Sequence, residues 1–245
     1  MESKYYWQID LPVRYHHDST HLDLGGGHNP KNPFGASRLI VLDLDSKELD
    51  LNSFWDPRAR NCDLVQMTGD FTKGLEFQDQ SLDSISAFDV LEHVPRFERS
   101  KTGEVVFPFV DLMSEIYRCL KPGGLFIAVT PAFPSREAFR DPTHINFIAH
   151  NTAQVFGVEA ANEDFRPMYG FRGKFFIEHN EWLYGGGPSL TIPLILSIEK
   201  SGASRKIQVI LKLFIRRVRI SLWMQKSSHL LWVLRRPIED SELIQ

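Results

Sequence analysis

Several features that mark specialised protein classes are scarce in this sequence. Its 245 residues include two cysteines, Cys62 and Cys119, which lie far apart and have no metal-like spacing. A disulfide framework is therefore not expected, and a reducing compartment is the simplest assignment. The sequence has no run of about 18 apolar residues, so we expect no membrane-spanning helix. The N-terminal segment M-E-S-K-Y-Y-W-Q-I-D has no apolar core, so we expect no signal peptide and a cytoplasmic protein.

Acidic residues are missing from one long stretch near the end of the chain. Residues 201–236 contain nine Lys or Arg and no Asp or Glu, although the whole chain has a net charge of −3. At 100° per residue, the segment 205–224 places apolar side chains on one face and basic side chains opposite. This pattern predicts a basic amphipathic helix. We therefore expect one domain over 1–200 and a basic helical tail over 201–245.

Two partners suit such a helix equally well. An anionic membrane surface attracts basic groups, which would make the protein peripheral on the inner face of the membrane. The alternative is that the helix packs on the acidic domain or on another subunit. Nucleic acid is not expected, because the rest of the chain is acidic. The sequence does not predict an oligomeric state.

Three consecutive glycines mark the segment around which the chain is organised. Residues 20–30 read T-H-L-D-L-G-G-G-H-N-P, in which a short apolar strand ends at Gly25, Gly26 and Gly27. Glycine permits a sharp turn and lets a ligand lie against bare backbone. The pattern from Asp23 to Gly27 fits both dinucleotide-binding and S-adenosylmethionine (SAM)-binding folds, but the third glycine of the dinucleotide pattern is missing.

The remaining apolar patterns predict alternating strands and helices. The helix is indicated by Leu112, Ile116 and Leu120, which recur every four residues before Lys-Pro-Gly-Gly ends it. A G-G-G-P turn at 185–188 predicts a hairpin between the last two strands. The predicted elements are strands over 21–24, 38–42, 63–67, 82–88 and 125–130, a helix from about residue 109, and strands over 174–181 and 190–199.

Acidic residues follow two of these strands, at the edge where the strands of a doubly wound sheet end. Asp43 comes directly after the second strand, where a carboxylate can accept hydrogen bonds from both ribose hydroxyls, and Asp45 is the reserve. Asp70 and Phe71 follow the third strand, where they could contact an adenine ring. A simple turn is the alternative for Asp70.

Five motifs together resemble class I SAM-dependent methyltransferases. They are L-D-L-G-G-G (22–27), V-L-D (41–43), G-D-F (69–71), F-D-V-L-E-H-V (88–94) and L-K-P-G-G-L-F (120–126). The resemblance covers roughly residues 20–200. It implies an α/β fold with a Rossmann-like, doubly wound sheet of seven mostly parallel strands and an antiparallel last hairpin. It also implies SAM as the cofactor.

The same resemblance implies roles for individual residues. The methionine part of SAM would lie against Asp23, Gly25, Gly26 and Gly27. Asp43 would hold the ribose, and Asp70 and Phe71 would contact the adenine. Asp89, after the fourth strand, would face the pocket.

A narrower resemblance concerns the segment F-R-D-P-T-H-I-N-F at 139–147. It is similar to a segment of bacterial methyltransferases found with cell-surface polysaccharide genes, which implies a sugar or glycan acceptor. A hydroxyl acceptor must lose a proton, and histidine is the natural base. We predict His144 as the base, with Asp141 orienting it or sharing in substrate binding. His93 is the competing base, and a structural role is its alternative. A turn is the alternative for this segment, and no metal is expected because Glu92, Asp141 and His144 lack a tight ligand spacing.

The predicted function is SAM-dependent O-methylation of a sugar or glycan intermediate of cell-surface polysaccharide. A quinone, another small lipid or a phosphate group are alternative acceptors within the enzyme class. The alternative outside it is a non-catalytic adaptor that keeps the SAM-binding fold. The residues Asp23, Gly25, Gly27, Asp43 and Asp70 favour the enzyme, because an adaptor has no need to keep them.

Overall fold

A computed structural model describes residues 18–45, 49–158, 170–184 and 227–238. Most of the described chain belongs to one twisted sheet, with connections that are largely irregular. In chain order the elements are β1 (Thr20–Leu24), β2 (Arg38–Asp43), β3 (Asp63–Thr68), β4 (Leu82–Phe88), β5 (Glu98–Arg99), β6 (Val105–Val106), α1 (Pro108–Cys119), β7 (Leu120–Phe133), α2 (Glu137–Arg140), β8 (Ile148–Ala149), β9 (Phe176–Tyr184) and β10 (Ser227–Arg235).

The main sheet has the strand order β3-β2-β1-β4-β7-β10-β9, and the short β8 pairs with the end of β7. Strands β1 to β4 and β7 run parallel, whereas β10 is antiparallel to both of its neighbours. The predicted seven-stranded, mostly parallel sheet is thereby confirmed. The predicted strands before residue 131 and the helix are also found, with bounds that differ by a few residues.

The last strand is where the sequence prediction differs from the structure. The antiparallel partner of β9 is β10, and not the predicted strand over 190–199, which lies outside the described residues. Strand β10 belongs to the stretch that we assigned to the tail. Its five central residues, Leu230 to Leu234, are buried because β10 lies between two strands of the sheet. An apolar run buried on both sides has no alternation, so it does not reveal a strand.

The strand order is that of the predicted Rossmann-like sheet, but few helices connect the strands among the described residues. The connection between β1 and β2 contains no helix, and Asn32 organises it instead by bonding to Ala36 and Asp56. In the connection between β2 and β3, the described residues form the 3-10 turns Leu51–Ser53 and Pro57–Arg60. The connection between β1 and β2 is short and rich in proline and glycine, which do not support helices.

The core lies on both faces of the sheet. Helix α1 covers one face, and its Leu112, Met113 and Ile116 are buried against strand residues such as Phe126 and Trp232. Burial of each such side chain contributes about 1.5–3 kcal/mol. A smaller cluster covers the other face, and the described residues contain no helix long and apolar enough to span a bilayer.

Strand direction decides where the side chains of the site meet. Because β1, β2, β4 and β7 are parallel, the loops that follow them collect at one edge of the sheet. The antiparallel β10 begins at this same edge, where His229 is paired with Pro131 of β7. We call this the carboxyl edge.

Candidate active site

The glycine turn follows β1 at the carboxyl edge. Gly25 and Gly27 have φ angles of +66° and +51°, and the Gly25 amide donates to the Leu42 carbonyl at 2.8 Å. A Cβ atom at Gly25 would lie 2.4 Å from the Val90 side chain, and one at Gly26 would lie 2.5 Å from the Asp23 carboxylate. Side chains are therefore excluded here by backbone conformation and by space.

Asp23 lies beneath this turn and is 1% exposed. Its carboxylate accepts a hydrogen bond from the Ser86 hydroxyl and another from the Lys31 amide at 2.8 Å. Burial raises the pKa of Asp23 to about 6, against the opposing effect of the Lys31 charge. Asp23 thus fixes the chain on both sides of the glycines.

Asp43, at the end of β2, lies beside the same turn. Its Oδ2 accepts a hydrogen bond from the Gly27 amide at 2.9 Å. The side chain is half-buried, and a carboxylate has further lone pairs for a ligand. The structure therefore brings together the glycine turn and the acid that the sequence paired with a ribose.

Asp70 caps the 3-10 turn Phe71–Lys73. Its carboxylate accepts from the Thr72 amide at 3.1 Å and lies 2.7 Å from the Lys73 ammonium. These bonds, of which that to Lys73 is the strongest influence, hold the pKa of Asp70 below its ordinary value. Phe71 is partly buried against the larger core cluster. The local bonds correspond to the turn alternative for Asp70, and the adenine contact remains a prediction.

Asp89, which follows β4, contacts a residue that the sequence analysis did not single out. It has a φ angle of +54°, which is uncommon for a residue other than glycine, and its amide donates to the Val129 carbonyl at 2.8 Å. Its Oδ1 lies 3.2 Å from Nε2 of His229 on β10. His229 was missed because β10 was assigned to the tail.

Glu92 and His144 face each other next to β7. Glu92 is 1% exposed, its Oε2 accepts from the Thr130 hydroxyl at 3.0 Å, and its Oε1 lies 3.9 Å from Nε2 of His144. Burial raises the pKa of Glu92 to about 8. The sequence indicates Glu92 only as a possible metal ligand, because its burial cannot be recognised from the sequence.

His93 and Asp141 complete this group through Thr143. The Thr143 amide and hydroxyl both donate to Asp141, at 2.8 and 2.7 Å. These bonds hold the pKa of Asp141 below its ordinary value. The His93 ring meets the His144 ring edge-to-face at 4.9 Å, and its Nδ1 contacts the Thr143 hydroxyl and carbonyl. Asp141 forms the turn that was the alternative for this segment, and its side chain bonds to Thr143.

Backbone bonds fasten the two segments that carry these side chains. The Glu92 carbonyl accepts from the amides of both Ile145 and Asn146, each at 2.9 Å. The buried Asn146 side chain donates to the Leu91 carbonyl at 2.9 Å and accepts from Arg96. Residues about fifty positions apart in the sequence are thereby held in one arrangement.

Comparisons with known proteins agree with this architecture. A family model described as a methyltransferase domain matches residues 22–128. A SAM-dependent methyltransferase from Archaeoglobus fulgidus has a similar structure, with a TM-score of 0.51 and 15% identity over 89% of this chain and 86% of that one. No curated protein sequence matches the chain.

Two further solved structures are more distant. A putative methyltransferase from Bacillus halodurans C-125 has a TM-score of 0.47 and 17% identity, covering 89% of this chain and 93% of that one. The phosphoethanolamine N-methyltransferase 2 of Haemonchus contortus, in complex with SAM, has a TM-score of 0.48 and 17% identity, covering 93% of this chain and 50% of that one. The matched methyltransferase domain supports a SAM-dependent methyltransferase with S-adenosylmethionine as its cofactor, and the strand order and the glycine turn agree with that assignment.

Proposed function

We propose that this methyltransferase transfers the methyl group of SAM to a hydroxyl group of a sugar or glycan intermediate of cell-surface polysaccharide. The observation that carries O-transfer is the group of Glu92, His93 and His144 at the carboxyl edge. A hydroxyl acceptor has to lose its proton, and imidazoles beside a carboxylate are suited to that task. The sugar as acceptor rests on the resemblance of the segment 139–147.

The residues around the glycine turn fit SAM. The space above Gly25 and Gly26 is shaped by glycine, since a Cβ atom at either position would collide with a neighbour. Asp43 offers carboxylate oxygens to the ribose hydroxyls next to this turn. We propose that Asp23 with the three glycines holds the methionine part, and that Asp70, Phe71 and Asp89 contribute to the rest of the cofactor site.

SAM supplies an electrophilic methyl group, so the protein contributes mainly alignment and proton removal. We propose that the acceptor hydroxyl is deprotonated at the group of Glu92, His93 and His144. The His144 side chain is 89% buried, and its Nε2 lies 3.9 Å from the Glu92 carboxyl group. Asp141 acts on this group through the Thr143 hydroxyl.

An exposed aromatic patch follows β7 and is a candidate surface for the acceptor. It consists of Phe133, Phe139 and Phe147, which are 55%, 51% and 44% exposed. The rings of Phe139 and Phe147 stack at 4.9 Å, and Phe133 meets Phe139 edge-to-face at 6.4 Å. Exposed apolar patches of this kind often mark ligand-binding surfaces. The patch suits the apolar face of a sugar, and it would equally suit a quinone or another small lipid.

A transfer assay with labelled SAM distinguishes between these acceptors. The full chain is incubated with SAM labelled in the methyl group and with glycan, lipid and phosphate-compound fractions from the source cell. We expect the label in a glycan as an alkali-stable methyl ether. Label in a quinone, another lipid or a phosphate compound would establish one of the alternative acceptors. SAM binding without transfer to any fraction would favour the non-catalytic adaptor.

The ribose contact can be measured separately from transfer. Asp43→Ala is expected to weaken SAM binding by about 1–3 kcal/mol, because charge-assisted hydrogen bonds to the ribose are lost. Calorimetry measures this, and Asp45→Ala serves as the matched control with nearly unchanged affinity. Equal losses in both variants would move the ribose contact away from Asp43.

The basic segment 205–224 lies outside the described residues, and we propose from its sequence that it binds an anionic membrane surface. We expect liposomes with anionic lipid to sediment the full chain, neutral liposomes to do so much less, and added salt to weaken the effect. Changing Lys212, Arg216 and Arg219 together to Glu should abolish sedimentation and leave SAM affinity unchanged. Truncation at Ser201 is unsuitable as a test, since it also removes β10.

Packing of this segment on the domain makes a different forecast for the same variant. In that case the charge reversal lowers the thermal stability of the chain, and the wild type does not sediment with anionic liposomes.

A further inference from the structure

We infer that Glu92, His93 and His144 bind a divalent transition-metal ion. Each of the three side chains offers one ligand atom, and these atoms lie within 4.8 Å of one another. Two imidazoles and one carboxylate form a donor set that suits ions such as Zn²⁺, Co²⁺ and Fe²⁺. Three protein ligands leave a coordination position open for a further molecule, as catalytic metal sites do.

The spacing between His144 and Glu92 fits a shared cation better than a direct bond. Nε2 of His144 and Oε1 of Glu92 are 3.9 Å apart, which is too long for a hydrogen bond. Two ligand atoms that each lie about 2.1 Å from one ion are themselves about 3–4 Å apart.

The surroundings of His93 leave one ring nitrogen ready for a metal. Its Nδ1 lies 3.3 Å from the Thr143 carbonyl, which can only accept, so Nδ1 carries the proton in that contact. The Thr143 hydroxyl gives its own proton to Asp141 at 2.7 Å, so it too accepts from Nδ1. Nε2 is then the nitrogen with a free lone pair. Metal-ligating histidines are commonly oriented by such a partner on the other ring nitrogen.

The backbone holds the three ligands in place before any ion arrives. Glu92 and His93 lie in the 3-10 turn Leu91–His93, and His144 lies in the segment bonded to it through the Glu92 carbonyl. The buried Asn146 side chain adds a second connection to this turn. Sites whose ligands are fixed by packing and backbone bonds hold their geometry precisely enough for binding.

The consequence for the reaction rests on the proposed O-methyl transfer. A cation at this site would lower the pKa of a coordinated acceptor hydroxyl, so that its proton passes to water. The acceptor O–H bond and the S–CH₃ bond of SAM break, and an O–CH₃ bond forms, giving a methyl ether and S-adenosylhomocysteine. His144 then acts as a ligand in the loaded protein, rather than as the group that keeps the proton.

Metal binding is tested without reference to turnover. The full chain without an affinity tag is freed of metal with a chelator and titrated with Co²⁺, whose visible bands report nitrogen ligands, and with Zn²⁺ in competition. We expect one tight site in the wild type. Loss of an outer partner in Thr143→Val should weaken it about 10–100-fold. His93→Gln, His144→Gln and Glu92→Gln should each weaken it by more than that.

His150→Gln is the matched control, because His150 is an exposed histidine of the same region that lies outside the group. It should leave Co²⁺ and Zn²⁺ binding unchanged. His93 is exposed, so His93→Gln is expected to fold even if the buried Glu92 variant does not. A wild type that binds either ion no more tightly than His93→Gln overturns the metal site. Methyl transfer that persists in such a protein leaves the proposed function intact, whereas tight metal binding without O-methyl transfer contradicts only the function.

Discussion

Replacing His144 by alanine is expected to lower methyl transfer about 100-fold or more while SAM binding changes little. The loss follows from its position, since its Nε2 faces the buried Glu92 carboxyl next to the end of β7. The proposed contacts with the methionine part and the ribose lie on other strands, at the glycine turn after β1 and at Asp43 at the end of β2. Transfer is measured with saturating labelled SAM, and SAM affinity by calorimetry.

Two further variants make this expectation specific. His150→Ala removes a histidine of the same region that is not part of the group, and it should keep the wild-type rate. His93→Ala should also slow transfer, because its ring touches the His144 ring and shares the Thr143 contacts with Asp141. An unchanged rate in His144→Ala would remove this residue from the mechanism. A loss confined to His93→Ala would assign the proton transfer to His93.

The strands that could be predicted are those whose sequence carries a local signal. Strands β1 and β2 are short apolar runs that end in glycine or aspartate, and α1 shows Leu112 and Ile116 on one face. The glycine turn also has a local signal, because Gly25 and Gly27 have positive φ angles, which glycine adopts readily. The glycine turn was therefore predictable from the sequence, whereas the contacts of its residues with SAM stay predictions.

Strand β10 could not be predicted because its environment is set by distant strands. It inserts between β7 and β9, and the run L-L-W-V-L is buried on both faces there. Among basic residues, such a run looks like the apolar face of an amphipathic helix. The error had a consequence for the site, since His229 reaches Asp89 only because β10 starts at the carboxyl edge.

The group of Glu92, His93 and His144 could not be predicted from the sequence for a related reason. Its members come from two segments whose proximity depends on bonds to the Glu92 carbonyl. Metal motifs are recognised in a sequence by short spacings, and no spacing connects these segments. The sequence named His93 and His144 as competing bases, whereas the folded chain brings their rings together at 4.9 Å.

A buried polar chain beneath the glycine turn links two groups whose protonation affects stability in opposite ways. His21 is fully buried, with Nδ1 2.7 Å from the Ser84 hydroxyl and Nε2 2.8 Å from the Ser86 hydroxyl, which in turn donates to Asp23. Burial lowers the pKa of His21 to about 3, whereas it raises the pKa of Asp23 to about 6. The folded state therefore excludes a proton from His21 and retains one on Asp23.

The signs follow from proton binding in the two states. Below about pH 6.5 the unfolded His21 takes up a proton that the folded one rejects, so its contribution to stability falls as the pH falls. Between about pH 6 and 4 the folded Asp23 holds a proton that the unfolded one has released, so its contribution rises as the pH falls. Each slope is at most about 1.4 kcal/mol per pH unit, and the two largely cancel in the wild type.

Replacing His21 or Asp23 is expected to reveal how the other residue alone makes the free energy of unfolding depend on pH. Urea unfolding of Asp23→Asn between about pH 6.5 and 4.5 should show a loss of about 2 kcal/mol relative to the wild type over the same range, since the opposing Asp23 contribution is gone. His21→Gln should show the reverse, gaining stability relative to the wild type as the pH falls. Both variants lose hydrogen bonds at every pH, so the change with pH is the informative quantity and the offset at neutral pH is not. Parallel stability curves for the wild type and both variants would mean that His21 and Asp23 keep their ordinary pKa values in the folded chain, and that the buried chain through Ser86 is not formed.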